Sequence, residues 1–373
     1  NASCSSVGDT VYAEITANTL AYTSIAIPSD GKPVVAYQDQ TTTNLKLLKC
    51  GNSTCTSGNT ITVVDSTAND TGTYATVAIG TDDLPVIAHQ FNAGTVYLRI
   101  TKCNDATCSS STSTSIEGST LVGRYNSIVV PADGLPVVVY EHNTDTDTKL
   151  LKCGNASCSS GNTLTIIDSV NAGTYTSVTI GPNGFPLISY LFGASLDLGV
   201  IKCGDAACTG RTTTTVDTNA AVNQTSIRLG VDNLPIVAYR DVVNGNLKVV
   251  HCGDDACSSG NITTNVDAPS TNSGNYATLI VPSGDALPVI VHQDATNNTI
   301  RVVKCANSSC SLSTATVYTG GSDLGTTTNF FNKVYAVSIF GKNTALSNFD
   351  LAETFSVNDI SIGAGDVVSL TDG

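Results

Sequence analysis

The chain has 373 residues, of which 41% are hydrophobic and 13% are charged, so it can bury a core and is not a disordered polar chain. Its formal net charge of −14 repels nucleic-acid phosphates and anionic lipid. No run of about 18 apolar residues offers a membrane span. We therefore expect no nucleic-acid partner and no membrane-spanning segment.

Thirteen cysteines dominate the composition. Twelve of them form six pairs with one spacing: Cys50/Cys55, Cys103/Cys108, Cys153/Cys158, Cys203/Cys208, Cys252/Cys257 and Cys305/Cys310. Structural zinc is the alternative to disulfides, but it needs four ligands, and a histidine stands beside a cysteine only once, at His251. The spacing therefore predicts six hairpin disulfides, with no metal and no other cofactor. A reducing cytosol would not keep such bonds, so we predict an extracellular or cell-surface location.

The cysteine pairs mark a tandem repeat. The second cysteine of each pair recurs every 49 to 53 residues, and Cys4 continues the series towards the N-terminus. The segment Asn1–Cys4 repeats Asn155–Cys158 letter for letter. We therefore expect the chain to begin within a repeat, with the partner of Cys4 upstream of Asn1 and six complete repeats over residues 20–318.

Each repeat predicts four short strands, as the first repeat shows. Strand one is Tyr22–Ile27, and a hairpin at Ser29–Gly31 follows, where an Asp-Gly pair supplies positive φ angles. Strand two is Pro33–Tyr37, whose proline stands at the first position and costs no ladder hydrogen bond there. Strand three is Leu45–Cys50, the cysteine segment makes the next turn, and strand four is Thr60–Asp65.

Strand two is apolar on both faces, since Val34 and Ala36 point one way and Val35 and Tyr37 the other. A sandwich strand with one face in water would alternate with polar residues. Burial on both faces, in four-stranded sheets repeated about every 50 residues, is typical of propeller blades, each of which covers the next. The sequence therefore predicts an all-β fold, a β-propeller of four-stranded antiparallel blades.

The fifth repeat carries a motif of a wider group of proteins. Leu234–Asp241, followed by Asn244–Lys248, resembles the repeat of secreted bacterial β-propellers, in which proline opens a hydrophobic strand ending in Tyr-x-Asp before Asn-Gly-x-Leu-Lys. The likeness covers most of residues 20–317. It implies the propeller fold and no single function, because members of such a group do many things.

Residues 319–373 differ from the repeats, because they lack cysteine and proline and contain a cluster of phenylalanines. Three strand-like runs in this segment, with residues 10–16 as a fourth strand, would complete a last blade and remove exposed sheet edges. We therefore favour one propeller domain over residues 1–373 with seven blades. The alternative is six blades with a C-terminal extension that docks on another molecule.

No catalytic constellation stands out in the sequence. There is no Gly-x-Ser-x-Gly elbow, and His89 and His292 occupy a position that is tyrosine in other repeats. We therefore predict that the protein is not an enzyme but a structural or adhesive module of a surface protein or filamentous appendage. Its partners would be copies of itself or other surface proteins, since Cys4 and the divergent C-terminus favour head-to-tail assembly.

The first alternative is a glycan-binding lectin. In a propeller, the loops after strand two and before strand one share a face, where aromatic rings and polar groups can stack on sugars and hydrogen-bond to them. The candidate ligand-binding residues are Tyr22, Tyr74, Tyr125, Tyr175, Tyr276, Asp39, Asp241 and Asp294. The same tyrosines could instead pack between blades. The second alternative is a glycosidase that uses paired carboxylates.

Sequons of the form Asn-x-Ser/Thr are candidate glycosylation sites, at Asn1, Asn52, Asn69, Asn155, Asn223, Asn261, Asn297 and Asn307. Four of these, at positions 1, 52, 155 and 307, fall in the cysteine turn. We expect that turn to be an exposed hairpin tip where a glycan fits.

Overall fold

The computed structural model describes residues 20–319, apart from residues 68–69, 120, 170–172, 194, 219–221, 268–271, 285, 298 and 312. This part of the chain folds into 24 β-strands, which form six four-stranded sheets. It contains no helix with the length and apolar character that a membrane crossing requires.

Each sheet takes the four strands of one repeat. The strands of the first three sheets are β1 (Leu20–Ala26), β2 (Val34–Asp39), β3 (Asn44–Lys49), β4 (Thr60–Asp65), β5 (Asp70–Ile79), β6 (Pro85–Asn92), β7 (Val96–Cys103), β8 (Ser111–Ser119), β9 (Val122–Val129), β10 (Val137–His142), β11 (Asp147–Lys152) and β12 (Thr163–Asp168). Those of the last three are β13 (Ser177–Ile180), β14 (Pro186–Phe192), β15 (Asp197–Cys203), β16 (Arg211–Asp217), β17 (Val222–Leu229), β18 (Pro235–Asp241), β19 (Asn246–His251), β20 (Ile262–Asp267), β21 (Asn275–Ile280), β22 (Val289–Asp294), β23 (Thr299–Cys305) and β24 (Ser313–Thr319).

The six sheets are the blades of a β-propeller, which confirms the predicted all-β fold. Within every blade the strands are antiparallel and pair in chain order, as in β1-β2-β3-β4. The first strands β1, β5, β9, β13, β17 and β21 contact one another in succession and form the inner layer. The start of every first strand and the loop after every second strand therefore lie on one face.

The favoured count of seven blades is not supported, because the structure shows six, which was the alternative. Each blade uses one whole repeat, so the six repeats account for six sheets without strands borrowed from the chain ends. The segments assigned to a seventh blade, residues 10–16 and 320–373, lie outside the described residues.

The predicted disulfides form in all six blades, one in each. The bonds are Cys50–Cys55, Cys103–Cys108, Cys153–Cys158, Cys203–Cys208, Cys252–Cys257 and Cys305–Cys310, and their Cα atoms are 4.7 Å apart, or 4.8 Å in the fifth bond. Each bond closes the turn between the third and fourth strands of its own blade. Such bonds fit an oxidising compartment, while the extracellular location itself stays a prediction.

The cysteine turn is exposed at residues such as Thr54 and Thr56, as expected, but its cysteines are not. In blades 2 to 6 the second cysteine of the pair is at most 2% exposed, which holds for Cys108, Cys158, Cys208, Cys257 and Cys310. The physical reason is that each disulfide packs on the preceding blade. Cys310 of blade 6, for example, lies in one hydrophobic cluster with Ile236 and Val249 of blade 5. Cys55 of blade 1 has no preceding described blade against it and is only half-buried.

The hydrophobic core lies between blades. The face of blade 1 that contains Val34 and Leu47 packs on blade 2 at Val77 and Ile87, together with the Cys103–Cys108 disulfide. Equivalent clusters fill the next four boundaries. Burying one such aliphatic side chain stabilises the fold by about 2 kcal/mol. The two-faced apolar strands inferred from the sequence are explained by this arrangement.

The two end blades keep an apolar face exposed. Ile25 of blade 1 is 62% exposed, whereas Val77, its counterpart in blade 2, is 7% exposed. Val291 of blade 6 is 41% exposed, whereas its counterpart Ala238 in blade 5 is fully buried. The described blades therefore cover each other's faces at five boundaries and leave apolar surface at both ends of the series.

A polar contact, here called the carboxylate bridge, crosses each of the same five boundaries. It joins an acidic residue at the end of the fourth strand to a tyrosine or histidine on the second strand of the next blade. The atom pairs are Tyr140 Oη to Glu117 (2.6 Å), Tyr190 Oη to Asp168 (2.9 Å), Tyr239 Oη to Asp217 (2.7 Å), His292 Nε2 to Asp267 (3.0 Å) and His89 Nε2 to Asp65 (3.9 Å). Burial and the adjacent carboxylate raise the pKa of each of the three tyrosines, so these phenols donate.

A cation from the third strand adds an ion pair at four of these bridges. The pairs are Arg99–Asp65 (2.7 Å), Lys149–Glu117 (2.5 Å), Lys248–Asp217 (3.4 Å) and Arg301–Asp267. The bridge explains why His292 can replace tyrosine at this repeat position, since both can hydrogen-bond to a carboxylate. His89 Nε2 instead hydrogen-bonds to Thr101 Oγ1, at 3.1 Å.

The histidine at position 89 makes the blade 1–2 boundary sensitive to acid. Its ring is fully buried between Asp65 and Arg99, and burial lowers the pKa of His89 to about 4, below the unfolded value of about 6.5. The unfolded chain therefore takes up the proton first, and stability is lost as the pH falls through this window. We predict that His89 alone lowers the free energy of unfolding by about 2 kcal/mol between pH 7 and pH 4.5.

Urea unfolding at both pH values measures this loss. The His89→Tyr variant carries the residue of the sister repeats and should lose about 2 kcal/mol less on acidification. An equal loss in both proteins would show that the histidine does not titrate as argued.

Candidate functional site

Each blade places one large side chain on a strained backbone, within its first strand or, for Tyr175 of blade 4, two residues before it. The residue is glutamine in blade 5 and tyrosine in the other five blades. The φ angles are Tyr22 52°, Tyr74 55°, Tyr125 45°, Tyr175 55°, Gln224 51° and Tyr276 52°. The strand register shifts at this point in five of the six blades, as in a β-bulge. A left-handed conformation costs a bulky L-residue about 1–2 kcal/mol, so the surrounding structure must hold it.

Neighbouring blades supply that support. The main-chain oxygen of the strained residue accepts a hydrogen bond from a side chain of the next blade: Asn126 Nδ2 to Tyr74 O (2.7 Å), Thr176 Oγ1 to Tyr125 O (2.5 Å) and Thr225 Oγ1 to Tyr175 O (2.8 Å). A serine two residues further on accepts a main-chain N–H of the next blade, at Ser24, Ser127, Ser177 and Ser226. The bulges are therefore locked when the blades pack.

Four of the strained tyrosines form a continuous row, the tyrosine ladder. Its members are Tyr22, Tyr74, Tyr125 and Tyr175, from four successive blades. Their ring centroids are 4.6, 4.9 and 4.3 Å apart, and the rings are tilted or edge-on to one another. These are attractive aromatic geometries. Tyr22, at one end, is 41% exposed, and the other three are half-buried.

An arginine and a glutamate lie beside the ladder in blade 3. Arg124 Nε is 3.4 Å from Tyr74 Oη, and its Nη2 is 3.4 Å from Tyr125 Oη. Its Nη1 lies 3.5 Å from Glu141 Oε2. That oxygen is buried and has no hydrogen bond, while Glu141 Oε1 accepts one from Asn143 at 3.0 Å. The pair brings guanidinium donors and one unused carboxylate acceptor to the edge of the aromatic row.

Two phenols of the ladder have raised pKa values. Burial, with the neighbouring Tyr74, raises the pKa of Tyr22, and burial with the hydrogen bond to Tyr175 raises the pKa of Tyr125. Tyr22 and Tyr125 therefore present neutral hydroxyl groups that can both donate and accept hydrogen bonds.

The ladder ends in blade 5. Gln224 takes the tyrosine position there, and its Oε1 accepts the main-chain N–H of Tyr276 at 3.0 Å. Tyr276 is 71% exposed, and no ring contact links it to another described aromatic residue. The structure thus brings four of the five predicted tyrosines together and leaves Tyr276 apart from them.

The three predicted aspartates lie on the same face but hold their own loops. Asp39 accepts the Thr41 N–H at 2.9 Å and pairs with Lys46 at 2.8 Å. Burial opposes ionisation, but the bonds from Lys46 and Thr42 lower the pKa of Asp39 to about 2. Asp241 and Asp294 likewise accept hydrogen bonds from residues three positions later. Ligand binding by these aspartates stays a prediction. No described group of three or more histidine, cysteine or carboxylate side chains is arranged to hold a metal ion.

The sequon asparagines of the cysteine turns have a structural task. Asn52 Oδ1 accepts the main-chain N–H groups of Thr54 and Thr56, at 3.1 and 3.0 Å. The equivalent side chains, Asp105, Asn155, Asp205, Asp254 and Asn307, accept bonds from the same turn. Asparagine is used there as an alternative to aspartate, because both cap such turns.

The other sequons are placed differently. Asn223 lies in β17 with its Oδ1 buried, Asn261 caps the start of a cysteine turn through Gly253, and Asn297 bonds to Asp294. Asn1 and Asn69 lie outside the described residues. Glycosylation at any of the eight stays a prediction.

No family model matches the chain, and no curated protein matches it. Its fold does match solved structures. The alpha-L-arabinofuranosidase ARB93A from Fusarium graminearum, in complex with an iminosugar inhibitor, gives a TM-score of 0.50 at 10% identity, over 81% of this chain and 93% of that chain. The SapL1 lectin in complex with alpha methyl fucoside gives 0.49 at 10% identity, over 81% and 97%. A mutant of AofleA from Arthrobotrys oligospora gives 0.48 at 12% identity, over 82% and 92%. At these identities the likeness shows the fold alone.

The prediction that the chain is not an enzyme is contradicted, because its fold is shared with an enzyme, the alpha-L-arabinofuranosidase ARB93A. The sequence argument relied on the lack of a catalytic motif. A glycosidase needs only two carboxyl groups that the fold brings together, and such a pair has no fixed spacing in a sequence.

Sequence reasoning missed Arg124 as a member of the site. A comparison of the repeats gives the signal: the residue before the strained position is small or amidic elsewhere, as Ala21, Thr73 and Asn223 show, and arginine only in blade 3. The position of Glu141 is glutamine in three repeats, leucine in one and arginine in one. One blade therefore carries an ion pair where its neighbours do not.

The strain at the ladder predicts an unusual order of variant stabilities. Because Tyr125 has a φ of 45°, glycine fits that backbone at no steric cost, whereas alanine does not. We predict that the Tyr125→Gly variant is more stable than Tyr125→Ala by about 1 kcal/mol in urea unfolding.

Tyr97 provides the matched control, because it lies within β7 and does not have a positive φ. Glycine at an ordinary strand position is less stable than alanine, so the order should reverse there. The same order at both positions would refute the strain at the ladder.

Proposed function

We propose that the chain binds carbohydrate on the face of the tyrosine ladder. The observation that carries this proposal is the row of four tyrosines from four blades, each on a strained backbone and flanked by Arg124 and Glu141. Strained residues persist where the structure over-determines them, and they cluster at functional sites.

The chemistry of the ladder suits a sugar. Aromatic rings offer apolar surface to the C–H faces of a pyranose or furanose, and their hydroxyl groups bond to sugar hydroxyls. Arg124 adds donors, and the buried Glu141 Oε2 adds an acceptor without a present hydrogen bond. A buried acceptor without a partner is costly, so a ligand hydroxyl that reaches it would be favoured.

A glycan array, followed by titration calorimetry on the best hit, tests the proposal. We predict that Tyr125→Ala and Arg124→Ala each weaken binding by about tenfold, through loss of a stacking surface and of charged donors. Tyr276→Ala is the matched control, because Tyr276 has the same repeat position and a similar φ but stands outside the ladder. The Tyr276→Ala variant should bind the sugar with the same affinity as the unmodified protein.

Two results would count against carbohydrate binding at the ladder. One is an array without hits for the folded protein. The other is an affinity that falls equally in all three variants, since that would trace the loss to the repeat position and not to the ladder. Circular dichroism of each variant verifies that it is folded.

Glycoside hydrolysis at the same face is the second candidate function. The observation that favours it is the buried carboxylate of Glu141, together with a second carboxylate on the same face, Asp70, which begins β5 and accepts a hydrogen bond from Thr73 at 3.1 Å. Glycosidases use two carboxyl groups, one as the acid and the other as the base or nucleophile.

Release of nitrophenol from a panel of nitrophenyl glycosides tests for hydrolysis. If the protein is a hydrolase, Glu141→Gln should lower kcat by at least about 100-fold, because the amide keeps the shape of the side chain but cannot transfer a proton. Activity that survives in Glu141→Gln would exclude this residue. A protein that binds sugar but releases no nitrophenol would support binding alone.

The predicted structural or adhesive role remains open to test. Self-association was inferred from Cys4 and the divergent C-terminal segment, and both lie outside the described residues. Copies of the chain or other surface proteins therefore stay predicted partners.

A further inference from the structure

A cavity opens on the outer side of the boundary between blades 3 and 4, away from the tyrosine ladder. It measures about 390 Å³, within the range of small-ligand sites. Its walls include Asp168 and Ile166 from the fourth strand of blade 3, and Tyr190, Phe192 and Arg211 from blade 4. The cavity therefore lies at the carboxylate bridge between Asp168 and Tyr190.

This boundary departs from the repeat at one position. Directly opposite the bridging tyrosine or histidine, the third strand of every other blade carries a lysine or arginine, in the register pairs Tyr37/Lys46, His89/Arg99, Tyr140/Lys149, Tyr239/Lys248 and His292/Arg301. In blade 4 the residue opposite Tyr190 is Gly199. The third strand therefore supplies no cation to this bridge.

The glycine is built into the local packing. A Cβ atom at Gly199 would lie 2.7 Å from Cε1 of Tyr190 and 3.0 Å from Cβ of Phe192. The Tyr190 ring thus occupies the start of the path that a lysine side chain takes in the sister blades. Its hydroxyl still reaches Asp168, at 2.9 Å.

The sister bridges show what such a carboxylate accepts. Asp65 takes the N–H and hydroxyl of Thr67 at 3.0 and 2.7 Å, faces His89, and in addition binds Arg99 Nη1 at 2.7 Å. A carboxylate has about four lone-pair sites, so loop, aromatic and cation partners are accommodated together. Asp168 accepts the Tyr190 hydroxyl, and its carboxylate has the same number of lone-pair sites as that of Asp65, which holds a cation in addition to its other partners.

We propose that this cavity binds a primary alkylammonium group, the group that the third-strand lysines supply in other blades. The ammonium would bond to the Asp168 carboxylate, and its alkyl stem would lie against Phe192 and Ile166. The net charge of −14 raises the local concentration of such cations. A lysine side chain of a peptide and a small free amine share this chemistry.

Removal of Arg211 should have opposite effects on the binding of a cationic ligand and of a neutral or anionic ligand, so it tests the charge of the ligand. Its guanidinium lies at the rim and donates to Cys208 O at 3.4 Å, and it forms no ion pair with a described carboxylate. For an ammonium ligand, Arg211 is a repelling charge, and its removal should strengthen binding. For a hydroxylated or anionic ligand, Arg211 would be a donor, and its removal should weaken binding.

Titration with n-butylammonium, followed by NMR and by thermal shift, is the direct test. We expect saturable binding of one equivalent, no binding of n-butanol, and about tenfold weaker binding by Asp168→Asn. Arg211→Ala should bind more tightly than the unmodified protein. Unchanged affinity in Asp168→Asn, weaker binding in Arg211→Ala, or equal binding of butanol would each overturn the proposal.

A gain-of-function variant tests the proposal independently of Asp168→Asn, which could lose binding through a folding defect. Lys248→Gly copies the blade 4 sequence into blade 5, next to the bridge of Asp217 and Tyr239. We expect this variant to bind a second equivalent of butylammonium and to regain thermal stability in its presence. No second equivalent in a folded variant would contradict the proposal. Tighter binding of a lysine-containing peptide than of its norleucine analogue would identify a polypeptide as the source, whereas binding of butylammonium without binding of the lysine peptide would identify a free amine.

Discussion

Two apolar sheet faces meet at every boundary between described blades, and the rest of the structure depends on that contact. A single four-stranded sheet that is hydrophobic on both sides cannot bury either face by itself. It becomes stable when a neighbour covers it, as Leu47 of blade 1 and Val77 of blade 2 show. The carboxylate bridge and the serine hydrogen bonds are directional contacts. They fix the distance and the angle between neighbouring sheets.

This contact also explains how a costly backbone is maintained at the candidate site. The main chain of Tyr125 is strained within its own strand, but Thr176 of the following blade bonds to its carbonyl oxygen. The strain and its support therefore belong to different repeats. A periodic scaffold can hold an aromatic row in this way, and a single departure such as Arg124 or Gly199 then gives one blade a chemical character that the others lack.

The sequence was sufficient for the parts of the fold that depend on local rules. Asp30-Gly31 marked a hairpin, Pro33 marked the start of a strand, and the spacing of Cys305 and Cys310 marked a disulfide, because each rests on residues close in the chain. The burial of that disulfide was not foreseen, since the blade that covers it comes from the preceding repeat.

Contacts between residues that are far apart in the chain could not be predicted, for the same reason. The favoured count of seven blades is not supported, and a strand-like pattern in residues 319–373 says nothing about sheet pairing. The contact of Arg124 with Tyr74 and the cavity at Asp168 and Tyr190 depend on residues about 20 to 50 positions apart in the chain. No local pattern in the sequence encodes such contacts.

The disulfides have a consequence for how such a chain can vary. Each of the six closes a loop inside its own blade, between cysteines five positions apart, and none of these six bonds ties one blade to another. Cohesion between these blades rests on reversible contacts alone. A repeat is thus a covalently self-contained unit, and duplication or loss of one during evolution would leave no orphaned sulfur behind.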